Sequence, residues 1–494
     1  MTGPHRRTVP ILVLALVLIS SLSAALAQDR TKKIDDLIGK YYELKQFNGA
    51  VLVAEEGKVL FKKGYGNANM EWDIPNTPDT KFRLGSITKQ FTATLILQLA
   101  EQGKLRLDGK ITDYLEDYPK TTGDKITISH LLSHTSGIPG YTELPDFGKD
   151  LSRNPFTPKE FIKVFCDLPL QFEPGTKFTY SNSGYFLLGV IIEKLTSKPY
   201  VQVVEENIFK PLGMKSSGYD MPGPIITKRA AGYQKRGNGF VNAAYLDMTV
   251  PYAAGSLYST VEDLYLWDQA LYADKILSEK SKAMMFEPRI SAGGMGSSSL
   301  QYAYGWIVGK QRVGSSQDSV YMITHGGGIN GFSSVIVRVP ASRTLVVLLN
   351  NTGGAPLGVM TESVLGILHD KPYRPVAQPL VDLLRELISK SGLEIAVSRF
   401  KELRANRELY TFNESQMNAL GYEYLQDNKV KEAIAVFQLN VEAYPNSSNV
   451  YDSLGEAYAV AGEKELAIKN YEKSVELNPK NEGGIEALKK LKAK

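Results

Sequence analysis

The C-terminal part of the chain repeats itself with a period of 34 residues. The matched pairs are Leu420/Leu454, Gly421/Gly455, Tyr424/Tyr458, Ala433/Ala467, Phe437/Tyr471 and Pro445/Pro479. Small residues stand where two helices would cross closely, and a proline follows the second helical pattern of each copy. A unit of this kind cannot bury its apolar face alone, so the sequence predicts helix pairs that stack on one another.

This pattern resembles the tetratricopeptide repeat. The first copy spans about residues 416–449 and the second about 450–483. Because such arrays need about three units for a continuous core, Leu380 to Leu409 is expected to supply a degenerate third unit or to pack on the upstream part. The resemblance implies a groove for a protein or peptide partner, and a stabilising or dimerising appendage is the alternative.

A proline-rich segment at 371–379 divides the chain. It contains Pro372, Pro375 and Pro379, which break helices and central strands, so it is predicted to be a stiff linker. Upstream, β-branched runs such as Thr344 to Leu349 predict strands, and the middle of the chain predicts helices and loops. The sequence therefore predicts an α+β domain over 28–370 and an all-α domain over 380–494.

The first 27 residues have the pattern of a signal peptide. Arg6 and Arg7 precede an uncharged run from Thr8 that ends in the small-residue site Ala25-Leu26-Ala27. We expect export to the periplasm or the extracellular space, with Gln28 as the first mature residue. The alternative is an uncleaved membrane anchor, because about 20 uncharged residues can just span a bilayer.

Charge and cysteine content exclude several classes of protein. The 57 Lys and Arg residues nearly balance the 53 Asp and Glu residues, so the chain lacks the basic excess of a nucleic-acid-binding protein. The single cysteine, Cys166, excludes intramolecular disulfides and lies in an apolar stretch, so a buried, inert thiol is expected.

Ser86 and Lys89 stand at the start of a predicted helix that ends at Gly103. Residues three apart share one helix face, so the Lys89 amine can point at the Ser86 hydroxyl. Such a lysine acts as a base only if its surroundings lower its pKa. The spacing alone is weak evidence, because Ser398 and Lys401 share it in a helix where an exposed face is expected.

Two further segments suggest chemistry around Ser86. In Tyr180-Ser181-Asn182, Tyr180 can share a proton with Lys89 and Ser86, and Asn182 can donate an amide hydrogen bond to a substrate. Alternatively, Tyr180 is a core aromatic residue and Asn182 caps the helix over 183–195. The second segment is His325-Gly326-Gly327-Gly328, and the three segments together favour the catalytic interpretation.

Together with other segments, these resemble the class C β-lactamase-like serine hydrolases, which include β-lactamases, D-Ala-D-Ala carboxypeptidases, D-aminopeptidases and esterases. The segments, in order, are Ser86-Ile87-Thr88-Lys89, 129–138 (SHLLSHTSGI), 172–175 (FEPG), 180–185 (YSNSGY), 211–214 (PLGM) and His325-Gly326-Gly327. The resemblance covers about Ile34 to His369. It implies an antiparallel sheet with flanking helices plus an all-helical lobe, the β-lactamase/transpeptidase-like fold.

The resemblance also assigns roles. Ser86 is implied to be the nucleophile of an acyl-enzyme, with Lys89 and Tyr180 moving protons. Asn182, His325 and Gly327 are implied to bind substrate, and the backbone N–H groups of Ser86 and Gly328 to form the oxyanion hole. No cofactor is implied.

The third segment departs from the family pattern. Penicillin-recognising members have Lys-Thr/Ser-Gly there, whereas this chain has His325 and Gly326, which offer no permanent cation and no hydroxyl. Esters or peptides without a carboxylate anchor are therefore expected to be better substrates than β-lactams. The alternatives are a true β-lactamase and a repeat-mediated binding protein with a vestigial hydrolase lobe.

Two other sites can be weighed from the sequence. His130 and His134 have metal-ligand spacing, but no Glu follows His130 and no third ligand is evident, so no metal is predicted and His134 is expected to be structural. An α/β-hydrolase fold is excluded because the chain has no Gly-x-Ser-x-Gly segment.

Overall fold

The computed structural model describes residues 27–237, 239–293 and 299–493. The predicted signal peptide lies outside these residues apart from Ala27, so its cleavage stays a prediction. The described chain begins with helix α1 over residues 27–43. Within the described ranges, no helix combines the length and the apolar character that crossing a membrane requires.

The chain divides into two units. The first contains the residues up to Gln234 and Val241–Arg374, and the second contains Lys235–Phe240 and Pro375–Lys494. The boundary at Arg374 and Pro375 falls inside the proline-rich segment. That Lys235–Phe240 groups with the C-terminal residues was not expected from the sequence.

The first unit is built on an antiparallel sheet. In chain order, the strands of the described residues are β1 (Gly49–Glu55), β2 (Lys58–Tyr65), β3 (Asn67–Asn69), β4 (Ile74–Pro75), β5 (Phe82–Arg83), β6 (Gly218–Tyr219), β7 (Tyr233–Arg236), β8 (Gly239–Asn242), β9 (Leu257–Ser259), β10 (Ile290–Ser291), β11 (Leu300–Tyr302), β12 (Ile307–Arg312), β13 (Ser319–Ile329), β14 (Phe332–Val339), β15 (Thr344–Asn350), β16 (Gln378–Pro379) and β17 (Tyr410–Thr411). In the described part of the chain, the large sheet has eight strands in the order β10-β11-β12-β13-β14-β15-β1-β2.

Strands β1 and β15 lie side by side within this sheet, with Gly49 opposite Asn350 and Ala54 opposite Leu345. Every residue of β15 is buried. A strand that is apolar at successive positions must be covered on both faces, which explains why Leu345 to Leu349 shows no alternation with polar residues.

Helices surround the sheet and form the helical lobe. After α1, those of the first unit are α2 (Thr88–Glu101), α3 (Ile111–Tyr114), α4 (Lys120–Gly123), α5 (Ile128–Leu132), α6 (Pro158–Ile162), α7 (Asn182–Thr196), α8 (Tyr200–Val204), α9 (Lys210–Leu212), α10 (Tyr252–Gly255), α11 (Val261–Ala270), α12 (Glu279–Phe286) and α13 (Leu357–Leu368). Cys166 is buried in this unit, and burial raises the pKa of its thiol, as expected for an inert cysteine.

The second unit is helical. Its helices are α14 (Leu380–Ser391), α15 (Leu393–Leu403), α16 (Glu414–Gln426), α17 (Val430–Ala443), α18 (Ser448–Ala461), α19 (Lys464–Leu477) and α20 (Glu482–Ala493). A short parallel pairing of β16 with β17 accompanies them.

The matched glycines of the repeat lie at equivalent helix crossings. A Cβ on Gly421 would lie 2.4 Å from the ring of Phe437, and a Cβ on Gly455 would lie 3.1 Å from the ring of Tyr471. Helices α14 and α15 contribute Leu384 and other apolar residues to the same core, so the stretch before the repeats packs within this unit. Ser398 and Lys401 are exposed on α15, as predicted.

Each unit contains an apolar core of its own. We therefore expect a chain of residues 28–374 to unfold cooperatively, with a Tm within about 5 °C of the first unit's transition in the full chain. Calorimetry of the two chains measures this. A broad transition, or a Tm that falls far outside this range, would show that the boundary is misplaced.

Candidate active site

Ser86 lies in a turn that only glycines allow to form. A 3₁₀ turn, Gly85–Ile87, connects β5 to α2, and Gly85 has a φ of +54°. A Cβ on Gly327 would lie 1.9 Å from the carbonyl oxygen of Leu84, and a Cβ on Gly85 would lie 2.9 Å from that of Gly328. The glycine run of β13 therefore packs directly against the turn that carries Ser86.

This packing brings the backbone of Gly328 next to Ser86, where the two N–H groups were predicted to form an oxyanion hole. The hydroxyl of Ser334 on β14 donates a hydrogen bond of 2.7 Å to the carbonyl of Leu84 and holds the turn to the sheet. Gly327 lies against Leu84, so its contribution here is the close approach of the two segments. Its role in substrate binding stays a prediction.

Lys89 is fully buried on the first turn of α2. Its Nζ lies 3.1 Å from Ser86 Oγ, 2.8 Å from Asn182 Oδ1 and 2.8 Å from the carbonyl oxygen of Ala254. Among the described residues, no carboxylate forms an ion pair with it. Burial therefore lowers the pKa of Lys89 well below its ordinary value of 10.5.

The neighbours of Lys89 determine what the neutral amine can do. Asn182 Oδ1 and the Ala254 carbonyl can only accept hydrogen bonds. In its neutral form, the amine donates its two N–H groups to these acceptors, and its lone pair is then left for the third neighbour, the Ser86 hydroxyl. The arrangement is that of a base directed at a serine hydroxyl.

Asn182 is the first residue of α7, and its side chain does not cap that helix. Its oxygen binds Lys89, and its nitrogen donates to Thr142 Oγ1 at 3.3 Å. The helix was predicted over 183–195 and runs from Asn182 to Thr196. The interaction of Asn182 with a substrate stays a prediction.

Tyr180 packs against the amine of Lys89. Lys89 Nζ lies 4.8 Å from the centre of the Tyr180 ring. The hydroxyl of Tyr180 is buried and has no hydrogen-bond partner among the described residues, so the predicted proton sharing with Ser86 and Lys89 is not visible as a hydrogen bond. Burial raises the pKa of this hydroxyl, and the nearby Ser86 hydroxyl offsets this only in part. Tyr180 is thus a neutral phenol whose proton is available to another acceptor.

His325 belongs to a chain of hydrogen bonds that fixes its tautomer. Tyr302 Oη lies 3.1 Å from His134 Nε2 and 2.9 Å from His325 Nε2. His134 Nδ1 accepts from the backbone N–H of Ser181 at 3.1 Å, so a neutral His134 carries its proton on Nε2 and donates to Tyr302. His325 Nδ1 donates to the carbonyl of Gly326 at 2.6 Å, so its Nε2 accepts the proton of Tyr302.

Both imidazoles are therefore neutral. Burial lowers the pKa of His325 to about 3 and lowers that of His134 well below 6.5. Both nitrogens of His325 have partners within the protein, so the first partner of this ring is Tyr302. Its predicted contact with substrate is not visible here and stays a prediction.

His130, the other histidine of the pair considered for metal binding, does not join this chain of hydrogen bonds. His130 Nδ1 accepts from the backbone N–H of Thr127 at 3.3 Å, at the start of α5. Both nitrogens of His134 are engaged in the chain with Tyr302 and Ser181, which is a structural role. In the ranges that the structure describes, no group of three or more His, Cys, Asp or Glu residues is placed to hold a metal ion.

Sequence reasoning did not identify three contributors to this site. Ala254 acts through its backbone carbonyl, which no residue type signals. Tyr302 on β11 and Thr142 in the 3₁₀ turn Tyr141–Glu143 act through their hydroxyls, and nothing in their local sequence distinguishes them from other tyrosines and threonines.

Comparison with known proteins decides the family. A family model described as Beta-lactamase matches residues 34–365. The chain belongs to the β-lactamase family. The putative penicillin-binding protein PbpX of Bacillus subtilis (strain 168) is 32% identical over 356 residues, which cover 72% of this chain and 84% of PbpX.

Solved structures agree with this membership. A penicillin-binding protein from Bacillus halodurans superposes with a TM-score of 0.59 at 29% identity and covers 68% of this chain and 98% of its own. The D-amino acid amidase from Ochrobactrum anthropi SV3, in complex with L-phenylalanine amide, gives a TM-score of 0.60 at 26% identity and covers 70% and 99%. The β-lactamase/transpeptidase-like α+β fold is therefore the fold of the first unit, and its relatives include a hydrolase of amides.

Proposed function

We propose that the chain is a serine hydrolase that forms an acyl-enzyme on Ser86. The observation that carries this proposal is the buried amine of Lys89, whose Nζ lies 3.1 Å from Ser86 Oγ while its two other polar neighbours, Asn182 Oδ1 and the Ala254 carbonyl, can only accept hydrogen bonds. A serine hydroxyl becomes a strong nucleophile only when a neighbouring base takes its proton, and this geometry supplies that base.

Acylation follows from these positions. Ser86 Oγ attacks the carbonyl carbon while its proton passes to Lys89, and the new C–O bond places negative charge on the former carbonyl oxygen. The backbone N–H groups of Ser86 and Gly328 stabilise that charge. The bond to the leaving group then breaks, the leaving group takes the proton of Tyr180, and Tyr180 is reprotonated by the Lys89 ammonium.

Deacylation uses the same base, with water in place of Ser86 as the nucleophile and Ser86 as the leaving group. A water molecule attacks the ester of Ser86 while Lys89 takes its proton. The bond to Ser86 Oγ breaks, and that oxygen regains a proton from Lys89. The proton balance closes, and Lys89 is neutral again at the end of the cycle.

The neutral side chain of His325 supports a proposal for the substrate class. A neutral imidazole that donates to Gly326 and accepts from Tyr302 gives no fixed positive charge with which to hold a substrate carboxylate. We therefore propose small esters, amides or cell-wall-peptide-like molecules as substrates, with esterase or peptidase activity rather than efficient β-lactam hydrolysis. Similarity to the D-amino acid amidase supports an amide among them.

The two ends of the chain support proposals about its location and its partners. The pattern of residues 1–27 supports export, with membrane attachment only if this segment is not cleaved. The equivalent crossings at Gly421 and Gly455 support tetratricopeptide-type units in the second unit. We propose that these units bind a protein or peptide partner, with stabilisation of the protein as the alternative role.

We expect Ser86→Ala to reduce hydrolysis of p-nitrophenyl acetate by about four orders of magnitude or more, because no other hydroxyl can replace the nucleophile. Intact-mass spectrometry after a fluorophosphonate probe should show one adduct on the unsubstituted chain and none on the variant. Ser398→Ala is the matched control, since Ser398 has the same spacing to a lysine but is exposed on α15. An unchanged rate in Ser86→Ala would contradict the assignment of Ser86 as the nucleophile, and no adduct on either chain would support the vestigial hydrolase lobe.

We expect nitrocefin, which carries a carboxylate, to have a kcat/KM about 10- to 100-fold below that of p-nitrophenyl acetate, because a charge-assisted hydrogen bond is missing at position 325. The double variant His325→Lys/Gly326→Thr should narrow this ratio. The Cβ of the threonine has room, since a Cβ on Gly326 would meet only the Ser334 carbonyl oxygen, at 3.6 Å.

The single variant Gly326→Thr is the control for that experiment, because it adds volume without charge. A native preference for nitrocefin, or an equal change in the single and double variants, would contradict the role assigned to charge at position 325.

A further inference from the structure

The carbonyl of Ala254 belongs to a short segment whose conformation depends on the residues packed around it. Helix α10 has four residues, and it begins at Tyr252, whose φ is +41°. A bulky residue in the left-handed region is strained, and such a conformation persists only where the surroundings determine it. The orientation of the Ala254 carbonyl therefore depends on what packs around residues 252–257.

Helix α2 binds this segment at three successive points. Thr92 Oγ1 donates to the carbonyl of Ala253 at 2.6 Å, and Lys89 Nζ donates to the carbonyl of Ala254 at 2.8 Å. At the other end, Thr88 Oγ1 accepts from the backbone N–H of Leu257 at 3.2 Å. Two threonine hydroxyls thus bracket the lysine contact.

The hydroxyl of Thr92 is committed to this contact. Two carbonyls can accept its single proton, that of Thr88 at 3.4 Å and that of Ala253 at 2.6 Å, and the much shorter contact assigns the proton to Ala253. Tyr200 Oη, 2.7 Å from Thr92 Oγ1, must then be the donor to it. Thr92 and Tyr200 are both fully buried, so no bulk water competes for these bonds.

The opposite side of the segment is closed by helix α7. A Cβ on Gly189 would lie 2.4 Å from Ala253 Cβ and 2.5 Å from the ring of Tyr252. Packing against Gly189 fixes the distance of the segment from the helical lobe, and the hydroxyl of Thr92 fixes its rotation relative to α2.

We propose that Thr92, assisted by Thr88, is a positioning residue for the reaction: it orients the Ala254 carbonyl and thereby the amine of Lys89. This inference rests on the proposed function, since it assigns Thr92 an effect on acylation through Lys89. Thr92 touches neither Ser86 nor the expected substrate position. Its loss should therefore slow the chemical step and leave binding unchanged.

The test measures acylation of the full chain by a fluorophosphonate, with adduct formation followed by quenched intact-mass spectrometry. Thr92→Val removes the hydroxyl at nearly constant volume. We expect the limiting rate kinact to fall about 10- to 100-fold, because a small misplacement of a catalytic group has effects of that size. The half-saturating probe concentration KI should stay within about twofold.

Two variants separate positioning from a general loss of packing. Thr92→Ser keeps the hydroxyl and should restore most of kinact. Thr94→Val removes another fully buried hydroxyl of α2, which donates to the Gln90 carbonyl at 2.9 Å and lies 3.7 Å from Met285 Sδ. This variant should retain the kinact of the unsubstituted chain. If Thr92→Val does not fold, Thr88→Val applies the same test at Leu257, with the same expected separation of kinact from KI.

The inference is overturned if Thr92→Val reacts as fast as Thr94→Val, if Thr92→Ser is as slow as Thr92→Val, or if the change lies in KI alone. These outcomes leave the proposed function intact as long as the unsubstituted chain is labelled on Ser86. Failure of that labelling would overturn the proposed function itself.

Discussion

The burial of one amine is the constraint on which the site depends. An ammonium group inside the protein without a carboxylate partner is costly, so burial lowers the pKa of Lys89 well below 10.5 and favours the neutral amine. A neutral amine has a lone pair, and the acceptors Asn182 and Ala254 determine that it faces Ser86. In the proposed mechanism, desolvation and these two hydrogen bonds are what allow Lys89 to act as a base.

Close approach of neighbouring backbone segments, which glycines allow, positions the residues around Lys89. Gly327 lets β13 reach the turn before Ser86, and Gly189 lets α7 reach the segment that presents the Ala254 carbonyl. On the far side of Tyr180, the chain from His134 through Tyr302 to His325 fills the space with neutral hydrogen-bonded groups. Burial lowers the pKa of His325 to about 3, so position 325 carries no positive charge near neutral pH.

The sequence predicted the residues of this site whose side chains carry recognisable chemistry and spacing. Ser86 and Lys89 are three apart on a helix, and the Tyr180 and Asn182 segment precedes α7, so motif order could bring them together. The Ala254 carbonyl has no such signal, because every residue has a carbonyl and only the tertiary fold aims this one. Tyr302 was missed for a related reason: its hydroxyl matters only because two buried histidines lie on either side of it.

The same limit applies to the fold. The offset of 34 residues predicted helix pairs in the second unit. In the structure, Gly421 and Gly455, which are 34 residues apart, lie at equivalent helix crossings. The grouping of Lys235–Phe240 with the second unit was not predictable, since a hairpin's partners depend on long-range packing rather than on local pattern.

The pH dependence of Ser86 acylation tests the role of Lys89 most directly. The rate of fluorophosphonate labelling is measured from pH 5 upward, and peptide mapping locates the adduct. Since the base works only when neutral and burial lowers its pKa, the account predicts labelling of Ser86 that rises with one ionisation and reaches a plateau well below pH 10.5. A rate that keeps rising through pH 10.5, or an adduct on another residue, would contradict the central claim that a buried, neutral Lys89 activates Ser86.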